Sequence, residues 1–239
     1  MQQQPLAQSL AGFALFAPLG ERALARLAKA AHEIEAARAT VLYRRGDPSL
    51  GLHALVSGRV KLALPGADGA EKVVALVGRG ETFGEPAALA GEPHLVCAEA
   101  LVPARLIFVE KPALLACMSR DAAFACRMAA ALSVRLRRLM REIENSTLHS
   151  GTERVVDFLV RELGDAPDDG PAIVELPAKK RIIASCLDLT HEHFSRILHD
   201  LANARLLVVQ GPRVRIPDIA RLRAWHGEAY ARAGRNGLA

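Results

Sequence analysis

The sequence predicts an α+β chain in three parts: a compact β-domain over 1–110, one long helix over 111–149, and short helices closed by a β-hairpin over 150–239. Three observations carry this. Short apolar or alternating runs recur between Thr40 and Val109 with turn residues between them. The stretch from Pro112 to about Thr147 holds no other proline and no glycine. Lys180 to Ile216 offers two short helical runs and then two apolar runs around a Gly-Pro turn.

Taken in order, Leu19 to Ile34 reads as an amphipathic helix, because Leu24, Leu27, Ala28, Ala31 and Ile34 fall on one face. Strands are expected at Val41–Tyr43, His53–Ser57, Val60–Leu64, Val73–Val77 and Leu106–Val109. Gly46-Asp47-Pro48, Ser57-Gly58, Pro65-Gly66-Ala67-Asp68-Gly69 and Gly78-Arg79-Gly80 are the turns between them. Such regular spacing suggests a sandwich or barrel. Pro112 suits a first helical turn, where its missing N–H costs nothing, so one long helix is expected from there to Thr147. Met128, Leu132, Leu136, Leu139 and Ile143 draw an apolar stripe along it, flanked by Arg135, Arg137, Arg138 and Arg141; a helix this long projects beyond a small β-domain and wants a second copy of the chain. Ser150-Gly151-Thr152-Glu153 is a capping-box pattern, which starts a new helix and places a hinge near His149. The Asp165 to Pro171 loop breaks that helix, and a short strand follows at Ile173–Leu176.

Composition narrows the class of function. Of 239 residues, 51% are hydrophobic and 24% charged, as in a globular protein rather than a disordered one. The net charge of +5 favours anionic partners, and its distribution is uneven. Residues 146–175 carry 2 basic and 7 acidic side chains, whereas 176–239 carry 11 and 5. Cys97, Cys117, Cys126 and Cys186 show no CxxC spacing, and Gln2-Gln3-Gln4-Pro5 replaces the basic start of a signal peptide, so a reducing cytoplasm is expected. No apolar run approaches the roughly 18 residues of a membrane span, so no membrane partner is expected. An enzyme is not expected either, since no nucleophile-elbow, phosphate-loop or metal-ligand spacing occurs. His191 and His193 diverge on a helix and cannot share one ion.

The basic C-terminal module carries the chemistry. In Lys180 to His199, Ile183, Leu187, Leu189, Phe194 and Ile197 bury one shared face of two short helices, and Ala184 lets them approach. Asp188 falls where the inter-helix turn needs a left-handed backbone, and Thr190 caps the second helix. That is a helix-turn-helix. Its second helix, over 190–201, presents His191, Glu192, Ser195 and Arg196 at the end that reaches base edges. The hairpin at 206–216 makes a wing. Arg213 and Arg215 on the wing, Lys179, Lys180 and Arg181 before and in the first helix, and Thr190 are placed for phosphates. Double-stranded DNA is the expected partner.

These elements together resemble the Crp/Fnr family of bacterial transcription regulators over about residues 13–225. The strings that carry the resemblance are YRRGDPSLGLHALVSGRVKL, GRGETFGEPAALAGEP, TERVVDFLVREL and LDLTHEHFSRILHDL. It implies an N-terminal β-roll like a cyclic-nucleotide-binding domain, a homodimer joined along the long helix, a winged helix-turn-helix and RNA polymerase as a partner. In the family's Fnr-like branch, Glu-x-x-Ser-Arg reads a TTGAT half-site, and Glu192, Ser195 and Arg196 match it. Arg can donate twice to guanine and Glu can accept from the cytosine amino group, each bidentate pair giving about 1–3 kcal/mol of discrimination. His191 stands where the Crp-like branch has a further base-reading Arg.

The resemblance also assigns an effector pocket: Gly84, Glu85, His94, Leu95, Cys97, Leu139 and Met140. Members that bind cyclic nucleotides hold the phosphate with Arg and a small hydroxyl residue, and here those positions are His94 and Leu95. The polar positions of the long helix are Leu139 and Met140. A phosphate without its guanidinium loses a charge-assisted fork, so cAMP is not expected. No cysteine precedes Cys97, which leaves the family's usual four-thiolate iron–sulfur site unbuilt. ERVVDFLV, LPAKKRIIAS and HFSRILH resemble the nitric-oxide-responsive Dnr-like relatives, which are associated with haem. His32, His53, His94, His149 and Cys97 are the candidate ligands, with nothing to select among them, and the effector, cofactor and metal stay unassigned. A constitutive DNA binder and a cyclic-nucleotide-gated regulator are the alternatives.

Overall fold

The structure, a computed structural model, describes residues 3–66, 71–164 and 170–225. Residues 67–69 of the expected Pro65–Gly69 turn, 165–169 of the expected acidic loop, and the tail of the 150–239 segment beyond 225 lie outside the described residues. The chain forms two compact units, Met1–Arg137 and Arg138–Ala239.

The first unit opens with α1 (Gln3–Ala11) and α2 (Glu21–Lys29). Strands β1 (Ala31–Ala36), β2 (Val41–Tyr43), β3 (Gly51–Ser57), β4 (Val60–Pro65), β5 (Glu71–Val77) and β6 (Thr82–Phe83) follow, then α3 (Glu85–Ala90), β7 (Cys97–Ala100) and β8 (Ala104–Glu110). All strand pairs are antiparallel, in two sheets of order β1-β8-β3-β6 and β2-β7-β4-β5. Leu55, Val60, Phe83, Ala98 and Leu106 are buried together in one cluster. In a second, Leu52, Ala54, Ile107 and Val109 pack with Phe13, Phe16, Leu24 and Leu27 of the N-terminal segment. The apolar spacing of Ala31 and Ile34 mimics a helix, but α2 ends at Lys29, and residues 31–36 instead pair with β8 from Ala31↔Val109 to Ala36↔Ala104. Cross-strand pairing overrides the local period there.

The expected single helix from Pro112 is two: α4 (Lys111–Arg120) and α5 (Ala122–Leu148). Asp121 separates them in an extended conformation (φ −131°, ψ 94°), and its carboxylate accepts a hydrogen bond from the Phe124 amide at 2.8 Å. An Asp in that position caps the new helix. Phe124 and Met128, one turn apart, are fully buried in the first unit's core, so Met128 does not stand at the head of an exposed stripe. Beyond Leu132, which is half-buried, Leu136, Leu139, Met140 and Ile143 are 48–65% exposed.

The second unit contains the end of α5, then α6 (Gly151–Leu163), β9 (Ala172–Glu175), α7 (Lys180–Cys186), α8 (His191–Asn203), β10 (Val208–Gln210) and β11 (Arg213–Ile216). Val155, Val156 and Leu159 of α6 share a core with Ile183, Phe194, Ile197, Leu198, Val214 and Ile216. The three strands form an antiparallel sheet of order β10-β11-β9. Among the described residues no helix is long and apolar enough to cross a membrane.

Candidate nucleic-acid interface and sensor cluster

In the second unit, α7 buries Ile182, Ile183 and Ala184, and the chain turns at Leu187 and Asp188. Asp188 adopts a left-handed backbone (φ 53°), and Leu189 donates to the Ala184 carbonyl at 2.9 Å. The Thr190 hydroxyl accepts from the His193 amide at 3.1 Å and starts α8. Phe194, Ile197, Leu198 and Leu201 hold α8 by its buried face. His191, Glu192 and Arg196 are exposed on the other side, with Ser195 half-buried beside them, so the sequence-predicted base-reading set lies on one end of one helix. Hydrogen bonding to its own amide and to the Thr190 hydroxyl holds the Glu192 carboxyl below the usual range. At neutral pH it is therefore a pure acceptor.

The expected phosphate-contacting residues occupy two places. Lys179 is exposed just before α7, Arg181 is exposed in its first turn, and Lys180 is half-buried. Lys180, Ser195 and His199 border a groove of about 490 Å³ floored by Leu198, Leu207 and Val208. Arg213 and Arg215 are exposed on β11; Arg213 pairs with Glu175 of β9 at 3.1 Å, both side chains being more than half exposed. Such a solvated pair adds little stability. At the corner between α5 and α6, Ser150 accepts from the Glu153 amide and Glu153 accepts from the Ser150 amide, the reciprocal box the sequence announces. Asn145 donates to Asp157 at 3.1 Å across the same corner.

In the first unit, the residues matched to an effector pocket surround an aromatic cluster. The His94 ring stacks on Tyr43 at 3.6 Å, and His53 stacks on Phe83 at 4.9 Å with Phe108 against its edge. His53 and His94 are only 6% and 5% exposed. Burial, with the nearby His94 and His32, pushes the His53 imidazole down to about 4. Burial also lowers His94, against an opposing pull from Asp47, and raises the Tyr43 phenol. Gly84, in a left-handed backbone (φ 93°), lies against both imidazoles: a Cβ there would sit 3.7 Å from His53 Nδ1 and 3.8 Å from a carbon of His94. Glu85, buried at the start of α3, pairs with Arg135 of α5 at 2.5 Å, and Arg135 also donates to the Thr82 carbonyl. Cys97 Sγ accepts from the Arg45 amide at 3.3 Å.

The remaining pocket residues are placed differently. Leu95 is 74% exposed, and Leu139 and Met140 are exposed on the part of α5 that belongs to the second unit. Of the candidate haem ligands, His32 is exposed beside Phe108, while the His149 side chain is buried near Glu153 in the second unit. His53 Nδ1 is buried without a hydrogen-bond partner, but Gly84 walls it and Phe83, Tyr43 and Phe108 surround the ring. A porphyrin reaches that nitrogen only if the cluster unpacks, so His53 does not fit haem as it stands. The Arg135–Glu85 pair had no local signal in the sequence, because its members are 50 positions apart.

Comparison with known proteins agrees with this architecture. A cyclic nucleotide-binding domain model matches residues 33–121, and a Crp-like helix-turn-helix domain model matches 153–225. The chain is 23% identical over 215 residues to the CRP-like cAMP-activated global transcriptional regulator of Mycobacterium tuberculosis, covering 89% of this chain and 96% of that one. A structure from Ruegeria pomeroyi, described as cyclic nucleotide binding, is 29% identical with a TM-score of 0.62, over 95% of this chain and 99% of its own. FixK2 from Bradyrhizobium japonicum shares the fold at 24% identity and a TM-score of 0.73, over 81% and 96%. A β-roll, a long helix and a winged helix-turn-helix thus stand in one chain, and the chain belongs to the Crp/Fnr family of transcription regulators.

Proposed function

We propose that this regulator acts as a homodimer that reads a palindrome of TTGAT half-sites through α8, under the control of a small effector other than cAMP. The observation that carries base reading is the exposed set His191, Glu192 and Arg196, with Ser195, on the first two turns of a helix whose other face is locked into the core. Arg196 supplies paired donors for guanine and the ionised Glu192 an acceptor for cytosine. Lys179, Lys180, Arg181, Thr190, Arg213 and Arg215 fix the register through phosphates. The exposed stripe Leu136, Leu139, Met140 and Ile143 favours a second copy of the helix as its cover, since a contiguous apolar patch costs free energy in water. Two-fold symmetry then places the half-sites about 34 Å apart. RNA polymerase is the further partner expected of such a regulator.

Two features argue against cAMP. Where a guanidinium would take the phosphate, the His94 ring is stacked on Tyr43 and disfavours a positive charge. Glu85, the counterpart of the ribose-binding Glu, is engaged by Arg135. The test of base reading is Arg196→Ala, measured by fluorescence anisotropy at fixed salt on a TTGAT palindrome and on a scrambled duplex. The variant is expected to lose about 1–3 kcal/mol on the palindrome alone. Equal loss on both duplexes would sink the assignment. Calorimetric titration is expected to show no micromolar cAMP affinity, and a micromolar constant would overturn that part.

A further inference from the structure

Among the described residues of the second unit, Gly151 is the one glycine without a positive φ; Gly164, Gly170 and Gly211 all have left-handed values and open space where a Cβ would stand. Gly151 instead occupies the first position of α6, directly after the Ser150 cap, with a backbone that any residue can adopt. Its backbone does not explain it, and its surroundings do. A Cβ there would lie 3.0 Å from Leu189 Cδ2, 3.1 Å from Ile197 Cδ1 and 3.2 Å from His193 Cε1. Those three side chains belong to the helix-turn-helix turn and to α8, and His193 stands between Glu192 and Ser195.

We propose that Gly151 is a positioning residue for DNA reading: its bare Cα is the bearing on which the recognition helix α8 rests against the first turn of α6. This rests on the base-reading role of α8 proposed above. The corner on the other side of the bearing is firm. The reciprocal Ser150–Glu153 box fixes the first turn of α6, Asn145 of α5 is tied to Asp157 of α6, and the His149 side chain is buried 4.0 Å from Glu153. The corner expected to act as a hinge is thus held by side-chain contacts between the end of α5 and α6. A side chain at 151 presses on Leu189, Ile197 and His193 at once, and since Ile197 is buried in the core, the strain is relieved by tilting α8 away from α6.

The test uses full-length wild type, Gly151→Val, Ile197→Val and the double variant. Each is measured on a duplex that wild type selects from a randomised pool and on a scrambled control. Hydrogen exchange of the 190–198 amides is followed in parallel without DNA. Gly151→Val is expected to cut discrimination about tenfold with non-specific affinity nearly unchanged, and to speed exchange in the first two turns of α8. Ile197→Val in that background is expected to restore both, by making room where the Cβ intrudes. Unchanged exchange and discrimination in Gly151→Val would overturn the proposal, as would equal loss on both duplexes that the second substitution does not rescue. A wild type that selects no sequence refutes the base-reading role instead, and the exchange measurement still decides the bearing.

Discussion

His53 gives the first unit a defined sensitivity to acid. The imidazole is stacked on Phe83, edged by Phe108 and neighboured by Tyr43, His94 and His32, while the nearby carboxylate of Glu85 is committed to Arg135. With its folded-state value lowered from 6.5 to about 4, the native protein refuses a proton that the unfolded chain accepts. Stability is therefore full above the unfolded value, falls as the pH drops through the window between the two, and levels off below the folded value. Linkage over that window gives a loss of about 2 kcal/mol at pH 5 and about 3 kcal/mol near pH 4, relative to neutral pH. The perturbation is His53→Phe, which keeps an aromatic ring in the stack and cannot titrate. Differential scanning calorimetry of both proteins at neutral pH and near pH 5 separates this group from the carboxylates common to both. The wild type is expected to lose about 6 °C more than the variant in the first unit's transition. Equal pH dependence in the two proteins would refute the reasoning.

Three further outcomes follow from the geometry. Arg135→Met leaves the buried Glu85 carboxylate without its guanidinium and is expected to cost about 2 kcal/mol of first-unit stability at neutral pH, recovered when Glu85→Gln is added; no recovery in the double variant would deny the pair its role. Replacing Leu132 and Leu139 by Lys is expected to yield monomers in sedimentation velocity, and a stable dimer would remove the stripe as the interface. Ser150→Ala removes half of the capping box and is expected to destabilise the second unit by about 1 kcal/mol in urea unfolding followed at Trp225; an unchanged midpoint would show the cap to be idle.

The DNA-facing module was legible in the sequence because its determinants are local. The Ser150–Glu153 box and the Thr190 cap each join residues three apart, the left-handed Asp188 is a single-residue signal, and the apolar faces of α7 and α8 show in the spacing within each helix. Strands β2, β3, β4, β5 and β8 were similarly readable from period and turns. What failed was non-local. Ala31 and Ile34 have helical spacing but are claimed by β8, more than seventy positions away, and β6 and β7 are short segments without an apolar run of their own. Met128 continues the apolar stripe by spacing, yet the core around Phe16 and Phe124 takes it. Asp121 sat inside a run free of proline and glycine, and only its capping bond to Phe124 marks the break. In the β-roll, the family pattern marks Glu85 and His94, but neither the stack of His94 on Tyr43 nor the reach of Arg135 to Glu85 has a local signal.

The central claim is that α8 reads sequence rather than charge. Its most direct test is anisotropy of a labelled duplex carrying two inverted TTGAT half-sites four base pairs apart, against a scrambled duplex, with effector-free wild type and Arg196→Ala at one stated salt concentration, since phosphate contacts alone make affinity salt-dependent. The expected result is a preference of wild type for the palindrome that Arg196→Ala abolishes while binding the scrambled duplex as before. Equal binding of both duplexes by wild type and variant alike would contradict it.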